Sequence, residues 1–290
     1  MIKIGTSGYS YTDWKGTFYP KTIKSHEMLT YYARFFECVE INFTYYRLPQ
    51  ASQFVSMIEK SKGTVEFVVK AFQDLTHKRV ENYQAILKNF LNNLKPLVEA
   101  ELLGAILFQF PYSFKYSAEN CRYLEILREL TQSQTMIIEF RHTGWIRDEV
   151  FDFLHRNELG FCCVDEPQLP GLMPVRAELT SKIGYVRFHG RNAHKWWHHD
   201  QPYERYHYLY TADELAEWLT PINKLAHEAE KVFVFTNNHY LGNAATNAQM
   251  LKDLLGQKSK TPVPMHKQQS LNLFQNDHDS QGIEDQNRTD

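Results

Sequence analysis

The chain has 290 residues, with 32 lysines and arginines against 34 aspartates and glutamates and a formal net charge of −2. Hydrophobic residues make up 43% of the chain, which provides enough apolar material for a large core and excludes a wholly disordered protein. The near-zero charge argues against a basic protein that coats nucleic acid, although a local anion site remains compatible with it.

Eight short segments rich in β-branched and aromatic residues follow one another along the chain, and segments with helical spacing separate most of them. The predicted strands are residues 2–6, 39–44, 66–71, 104–110, 135–141, 160–165, 184–189 and 231–237. Strand–helix alternation predicts a parallel sheet covered by helices, and eight units in about 250 residues are typical of a single (β/α)8 TIM-type barrel. An open doubly wound sheet is the alternative, because periodicity alone does not show closure.

The clearest helix signal precedes the last predicted strand. Thr211 and Glu214 have the spacing of a capping box, and an apolar stripe runs from Leu215 to Ala229 in steps of three and four. The pattern predicts one helix over residues 212–229. A similar stripe follows Ser117, and another ends at residue 255.

The composition changes after Gly256, where polar residues dominate and Phe274 is the only remaining aromatic. This change predicts a barrel domain over residues 1–257 and a disordered tail over residues 258–290. Residues 268–274 resemble the short peptides by which bacterial replication and repair proteins dock on the sliding clamp. The predicted clamp contacts are Gln269, Leu271, Leu273 and Phe274. Ser270 stands where the pentapeptide form has glutamine, so a chance match and a segment that folds back on the barrel are the alternatives.

The sequence indicates neither a targeting segment nor disulfide bonds. The start of the chain has no apolar signal region, and no apolar run is long enough to span a membrane. The four cysteines form no CxxC pair, which argues against a zinc site. We therefore expect a cytoplasmic protein with free thiols and no membrane partner.

Side chains alternate along a strand, and a charge is expected to avoid the apolar helix layer, so charged residues indicate which side chains face the barrel interior. The inward set is predicted to be Lys3, Gly5, Ser7, Glu40, Asn42, Thr44, Val68, Lys70, Leu107, Gln109, Glu139, Arg141, Cys163, Asp165, Tyr185, Arg187, His189 and either Asn237 or Asn238. Lys3 and Glu40 are each the second residue of adjacent predicted strands, and we expect them to form a buried ion pair low in the barrel.

The other inward charges lie near the C-terminal ends of strands, where active sites of such barrels gather. The candidate catalytic residues are Glu139, Asp165, His189 and Lys70. Ligand-binding candidates share a polar or aromatic side chain at a strand end or in the loop after it: Asn42, Gln109, Arg141, Arg187, Arg191, Asn237, Asn238, Tyr9, Trp14, Tyr46 and Trp196. Aromatics interleaved with cations favour a planar or sugar-like anionic ligand, whereas a structural network of salt bridges is the alternative.

The same segments resemble the YecE-like family, a widespread domain of unknown function. The matching segments are residues 5–14, 18–20, 39–42, 46–49, 69–70, 76–77, 109–111, 139–142 with Trp145, 187–191, and 237–238 with Ala244, Asn247 and Ala248. The resemblance spans roughly residues 2–255 and implies a TIM-type barrel. It implies no activity, cofactor or catalytic residue, because none is established for the family.

The preferred interpretation is a metal-free pocket that binds or turns over a phosphate-containing ligand, a class that includes ligands derived from nucleic acid. Lys70, Arg141, Arg187 and His189 would hold its phosphate. A non-enzymatic adaptor recruited to the sliding clamp through the tail is an alternative.

Three further chemistries remain open. A metal-dependent phosphoester hydrolase would draw on Glu139, Asp165, His189 and His77 as ligands of a divalent metal, which the sequence does not require. A glycosidase would use Glu139 and Asp165 as its two carboxyl groups. A Schiff-base enzyme would use Lys70, but neighbouring carboxylates are expected to raise the pKa of this amine and oppose that role.

Overall fold

The computed structural model describes residues 1–257, and it shows a closed barrel of eight parallel strands. The strands are β1 Ile2–Ser7, β2 Cys38–Ile41, β3 Glu66–Lys70, β4 Leu103–Gln109, β5 Met136–Glu139, β6 Leu159–Asp165, β7 Ile183–Phe188 and β8 Lys231–Thr236. Each strand pairs with the next along the chain, and β8 closes the barrel by pairing with β1. The predicted single (β/α)8 TIM-type barrel is confirmed, and the open-sheet alternative is excluded.

Helices cover the outside of the barrel. The α-helices are α1 Met28–Tyr32, α2 Phe43–Tyr46, α3 Ala51–Ser61, α4 Gln73–Thr76, α5 Tyr83–Glu99, α6 Ala118–Thr131, α7 Asp148–Arg156, α8 Ala193–Trp196, α9 Ala212–Ala216, α10 Leu219–Glu228 and α11 Asn243–Leu254. Short 3-10 helices lie at Thr12–Trp14, Ser25–Glu27, Thr143–Trp145, Pro202–Tyr206 and Tyr240–Gly242. Within residues 1–257, none of the helices has the length and apolar character needed to cross a bilayer.

The predicted capping box is present, because the Thr211 side chain accepts from the backbone N–H of Glu214, while the Glu214 carboxylate accepts from that of Thr211. The single helix predicted after it is instead divided into α9 and α10. Pro221 lies in the first turn of α10. Proline has no N–H to donate to the carbonyl four residues earlier, so its place near a helix start explains the interruption.

An ion-pair cluster lies at the base of the barrel, and the partner of Lys3 in it differs from the predicted one. Lys3 donates to Glu66 at 2.7 Å, and Lys231 donates to the other oxygen of the same carboxylate. The predicted pair of Lys3 with Glu40 is wrong. Lys3 lies near the start of β1, and its register partner across β8 is Phe233, whereas Glu40 pairs with Ser7 at the opposite end of β1.

The inward phase of β6 is also the reverse of the predicted one. The Cys162 thiol lies 3.8 Å from the Glu139 carboxylate inside the barrel, whereas the Cys163 thiol lies 3.6 Å from the backbone oxygen of Glu178. Because strand side chains alternate, Asp165 faces outward with Cys163. The rule that a charge avoids the helix layer fails at Asp165, since that layer supplies hydrogen-bond donors to its carboxylate.

The proposed domain boundary at residue 257 and the clamp-binding residues Gln269, Leu271, Leu273 and Phe274 remain predictions. All four tail residues lie outside the described part of the chain.

Candidate functional site

A cavity of about 610 Å³, called here the upper pocket, opens at the C-terminal ends of the strands. It is lined by Gly8, Tyr9, Ser10, Tyr11, Ile41, Asn42, Phe43, Tyr45, Tyr46, Lys70, Gln109, Arg187, Tyr203, Tyr206, Asn237 and His239. These residues come from the ends of six strands and the loops that follow them. The cavity therefore occupies the end of the barrel at which this fold carries its active sites.

The walls of the upper pocket are mainly aromatic. The ring of Tyr11 stacks on His239 with a centroid distance of 4.7 Å and an interplanar angle of 3°, and its hydroxyl donates to the backbone oxygen of Ser7 at 2.8 Å. Gly8 has a φ of +84°, and a Cβ there would lie 2.5 Å from the Tyr11 hydroxyl, so only glycine lets this loop fold over the strand end. Aromatic faces held this way suit stacking against a base or a sugar.

Arg187 forms the floor of the pocket and is 1% exposed. Its Nη1 donates to Glu139, and its Nη2 donates to Glu40 at 2.7 Å. The Tyr185 hydroxyl donates to the second oxygen of Glu40 at 2.7 Å. Arg187 therefore joins β7 to β2 and β5 across the interior, while its Nε has no hydrogen-bond partner within residues 1–257.

Glu139 is held in its ionised form. Burial alone would raise its pKa, but Arg141, Arg187 and His189 outweigh that effect and hold the pKa well below its usual range. His189 lies 3.2 Å from Glu139 and 3.0 Å from the amide of Asn237. Burial and Arg141 lower the pKa of His189 to about 3, so its imidazole is neutral at physiological pH. The structure therefore brings Glu139, His189 and Asn237 together beneath the pocket.

Arg141 is bound by two carboxylates. Its Nε pairs with Glu139 at 2.7 Å, and its Nη1 pairs with Glu166 at 2.9 Å. Glu166 was absent from the sequence predictions, yet it is fully buried and also accepts from the backbone N–H of Met173 at 3.0 Å. Burial raises the pKa of Glu166 to about 7 despite the neighbouring Arg141. The sequence signal that could have found Glu166 is its position next to Asp165. Successive side chains of an extended chain point to opposite sides, so one of two adjacent carboxylates is expected to face the interior.

Lys70 differs from both arginines because no carboxylate pairs with it among the described residues. Its Nζ donates to the amide oxygen of Gln109 at 2.7 Å and lies 4.5 Å from the centroid of the Tyr45 ring. Burial, with help from Arg187, lowers the pKa of Lys70 to about 7. Glu139 and Glu40 raise this pKa, as expected, but their effects are smaller than that of burial, so the expected net increase is wrong.

We expect the Lys70 amine to titrate near pH 7, far below an ordinary lysine. Lysines dimethylated with ¹³C-formaldehyde report their protonation through the methyl chemical shift, and the resonance missing from a Lys70→Arg variant identifies Lys70. Burial lowers the pKa of Lys70 only while the protein is folded. Unfolding the protein in denaturant should therefore return the titration midpoint of Lys70 to that of an ordinary lysine. A midpoint above pH 10 in the folded protein would contradict the expectation.

Eight sequence-predicted site residues are not part of the lining of the upper pocket. Glu139 and His189 lie beneath it, Arg141 and Trp196 lie beside it, and the other four are held by different partners. The carboxylate of Asp165 accepts from Tyr210 at 2.6 Å, from Trp218 at 2.7 Å and from two nitrogens of Arg191. Arg191 is thereby held on the helix side of the barrel. The two remaining residues pack among neighbours: Trp14 Nε1 donates to the backbone oxygen of His239, and Asn238 donates to Tyr208 and Asn247.

Of the remaining predicted residues, Tyr9, Asn42, Tyr46, Lys70, Gln109, Arg187 and Asn237 line the upper pocket. Arg141 and Trp196 line a smaller neighbouring cavity. Sequence reasoning selected neither Tyr203 nor Tyr206 as a site residue, although the long segment between β7 and α9 brings them over the pocket. The aromatic and basic composition of that segment was a signal, but spacing does not show which of its residues return to the strand ends.

The residues considered for a divalent metal do not converge. No three histidine, cysteine, aspartate or glutamate side chains within residues 1–257 form a group that could hold a metal ion. Asp165 points to the helix layer, while Glu139 is engaged by Arg141 and Arg187. These carboxylates therefore do not fit the predicted metal site, and the same displacement of Asp165 removes the predicted glycosidase pair.

Comparisons with known proteins give consistent matches over most of the chain. The model of the family described as "Protein of unknown function DUF72" matches residues 3–270. The UPF0759 protein YunF of Bacillus subtilis (strain 168) is 31% identical over 271 residues, which cover 88% of this chain and 95% of that protein.

Two solved structures extend the similarity. A DUF72 family protein from Thermotoga maritima is 41% identical, with a TM-score of 0.82 over 88% of this chain and 99% of that one. A DUF72 family protein from Enterococcus faecalis V583 is 27% identical, with a TM-score of 0.80 over 92% of this chain and 99% of that one.

Proposed function

The chain belongs to the DUF72 family, whose description names no activity. From the upper pocket we propose that the protein binds a small phosphate-bearing ligand that contains a ring, such as a sugar phosphate or a nucleotide. We infer that the YecE-like family, which the sequence resembles, is this same family. Whether the ligand is also converted depends on the chemistry available around Lys70.

The observation that carries the proposal is the position of Lys70 in a cavity walled by aromatic rings. The charges of Arg187 and Arg141 are compensated by carboxylates, so neither is a free cation. Lys70 has only an amide and a ring as close partners among the described residues. A phosphate placed against its amine would supply the missing countercharge and favour the ammonium form.

The aromatic walls would hold the rest of the ligand. Tyr45, which carries Lys70 over its ring, lies beside Tyr46, and Tyr9 and Tyr206 line other parts of the same cavity. Their faces suit a sugar or a base, while the amides of Asn42 and Asn237 can hydrogen-bond to its polar edge. The Oδ1 atom of Asn42 is buried and has no hydrogen-bond partner within residues 1–257, so a ligand donor would satisfy it.

The chemistry that these residues offer is limited. Glu139 is held ionised and His189 neutral, so neither is suited to donate a proton near pH 7. Lys70 is the group in the pocket whose proton is exchangeable near neutral pH. Turnover that needs a proton donor would therefore use Lys70, whose amine form is also a nucleophile, and binding without turnover needs no further group.

We expect isothermal titration calorimetry to show that adenosine 5′-monophosphate binds more tightly than adenosine. A charge-assisted hydrogen bond contributes about 1.5–3 kcal/mol, so a Lys70→Met variant should lose roughly 10- to 150-fold in affinity for the phosphorylated probe. Ribose 5-phosphate and ribose form a second matched pair that lacks the base. Lys224→Met, on α10 away from the pocket, is the control and should bind as the wild type does.

The proposal fails if neither phosphorylated probe binds, or if Lys70→Met binds both phosphorylated probes as tightly as the unaltered protein.

A further inference from the structure

A second cavity of about 180 Å³ lies beside the upper pocket, and Gln109 and Tyr206 line both. We call it the side chamber and define it by His77, Gln109, Arg141, Trp196, Trp197 and Arg205. Gln109 is also the hydrogen-bond partner of Lys70. A ligand bound against Lys70 can therefore extend past Gln109 into the side chamber.

Arg205 is the uncompensated cation of the side chamber. Its Nε donates to the backbone oxygen of Trp196 at 2.9 Å, and its guanidinium lies 5.4 Å from the centroid of the Trp196 ring. No carboxylate within residues 1–257 forms a salt bridge with it, and its neighbour Glu204 pairs with Lys195 at 2.9 Å instead. Stacking on the indole fixes the orientation of the guanidinium, and its two Nη groups have no hydrogen-bond partner among the described residues.

Arg141 supplies a second guanidinium to the same chamber. Its Nε and Nη1 are used by Glu139 and Glu166, which leaves its Nη2 without a hydrogen-bond partner in the described part of the chain. Because these two carboxylates compensate its charge, Arg141 contributes an N–H donor to the chamber, and Arg205 contributes the net positive charge. Two arginines with unused N–H groups thus line one small cavity.

We propose that the side chamber is a second anion subsite, built by Arg205 and Arg141, for a second phosphate group on the ligand that occupies the upper pocket. The proposal rests on the function proposed above, and it makes that ligand a diphosphate or bisphosphate. Free inorganic phosphate carries the same chemistry and is the other source that the experiment must distinguish.

The chemistry of the chamber favours an oxyanion over an apolar or cationic group. Guanidinium groups bind phosphate through paired N–H donors, and the rigid fork of arginine makes this geometry selective. Burial and Lys70 lower the pKa of His77 to about 4, so His77 is neutral and can donate one ring N–H without adding charge. Trp196 is buried, while Trp197 is 45% exposed and lies at the edge of the chamber.

The test compares adenosine 5′-diphosphate with adenosine 5′-monophosphate by calorimetry in the wild type, in Arg205→Gln and in Arg34→Gln. Arg34 is a matched control, because its guanidinium also lies over aromatic rings, those of Tyr31 and Phe35, and it lines neither cavity. The diphosphate should bind about tenfold more tightly than the monophosphate. This preference should disappear in Arg205→Gln and persist in Arg34→Gln.

A second measurement locates the anion directly. Inorganic phosphate is titrated while the five indole N–H resonances are followed by NMR and assigned through single Trp→Phe variants. Phosphate in the side chamber should shift the resonances of Trp196 and Trp197 and leave those of Trp14, Trp145 and Trp218 in place. Arg205→Gln should abolish the shifts, and its thermal melting curve shows whether the variant is folded.

The possible outcomes distinguish failure of the subsite proposal from failure of the proposed function. Shifts from inorganic phosphate without a diphosphate preference support the subsite and assign it to a free anion. Those same shifts with no binding of any adenine nucleotide or of ribose 5-phosphate support the subsite and overturn the function proposed above. Nucleotide binding that depends on Lys70, is unaffected by Arg205→Gln and is accompanied by no phosphate-induced shift overturns the subsite alone.

Discussion

Replacing Arg187 with methionine is expected to lower the free energy of unfolding by about 3–5 kcal/mol, the cost of removing one partner from a buried ion pair. Arg187 is 1% exposed, and its two carboxylate partners, Glu40 and Glu139, are fully buried. Methionine fills much of the same volume but leaves both carboxylates without this cation. Urea denaturation of the two proteins at the same pH measures the difference.

Two further variants separate charge from volume at this site. In an Arg187→Met/Glu40→Gln double variant, the carboxylate that has no other salt-bridge partner among the described residues is neutralised, so part of the lost stability should return. Arg122→Met is the surface control, because Arg122 pairs with Glu125 at 3.0 Å while its own side chain is 63% exposed. Such pairs contribute about 0–1 kcal/mol. A loss below about 1 kcal/mol for Arg187→Met would contradict the assigned network.

An Asp165→Asn variant is expected to lose about 2–4 kcal/mol of stability, because the change removes the ionised acceptor of several charge-assisted and buried hydrogen bonds. Asp165 holds Tyr210, Trp218 and Arg191 together between β6 and the helix layer. Asparagine keeps one oxygen acceptor but places an NH₂ group opposite donors. Thermal and urea unfolding measure this loss.

The same variant tests the outward orientation of Asp165 by a measurement that stability does not affect. At a temperature where Asp165→Asn remains folded, its affinity for adenosine 5′-monophosphate should equal that of the wild type, because Asp165 contributes nothing to the upper pocket. Glu217→Gln is the matched control, since Glu217 also binds Arg191 but is 59% exposed. Lost affinity together with unchanged stability would show that Asp165 acts in the pocket after all.

The fold could be predicted because its signals are local and repeated. Each predicted strand lies within a few residues of an observed one, and the family resemblance supplied the closure that periodicity could not. The boundary of β2 shows the usual limit, because the predicted strand over residues 39–44 ends early at Ile41, where the chain turns into α2.

The site was harder to predict because it depends on which face of a strand each side chain occupies. The rule that charged side chains face the interior correctly identified the inward residues of β5 and β7, where Glu139 and Arg187 meet. It gave the wrong inward face for β6, where every residue is buried; the last residue of the strand, Asp165, faces outward, and Glu166, which follows the strand, pairs with Arg141. Pairing across the barrel, such as Lys3 with Glu66, is set by register and depth that a single sequence does not display.

The interior ion pairs, and the hydrogen bond of Tyr185 to Glu40, link residues that are distant along the chain. Tyr185 and Glu40 are separated by 145 positions, Arg187 and Glu40 by 147, and Lys231 and Glu66 by 165. Closing loops of this length is costly in chain entropy, and the strands that carry these groups meet only when β8 docks on β1. We therefore expect these charges to stay hydrated through the early stages of folding and to lose water when the barrel closes. We infer that local strand–helix units form first and that burial of the charged interior is the step that commits the chain to a closed barrel.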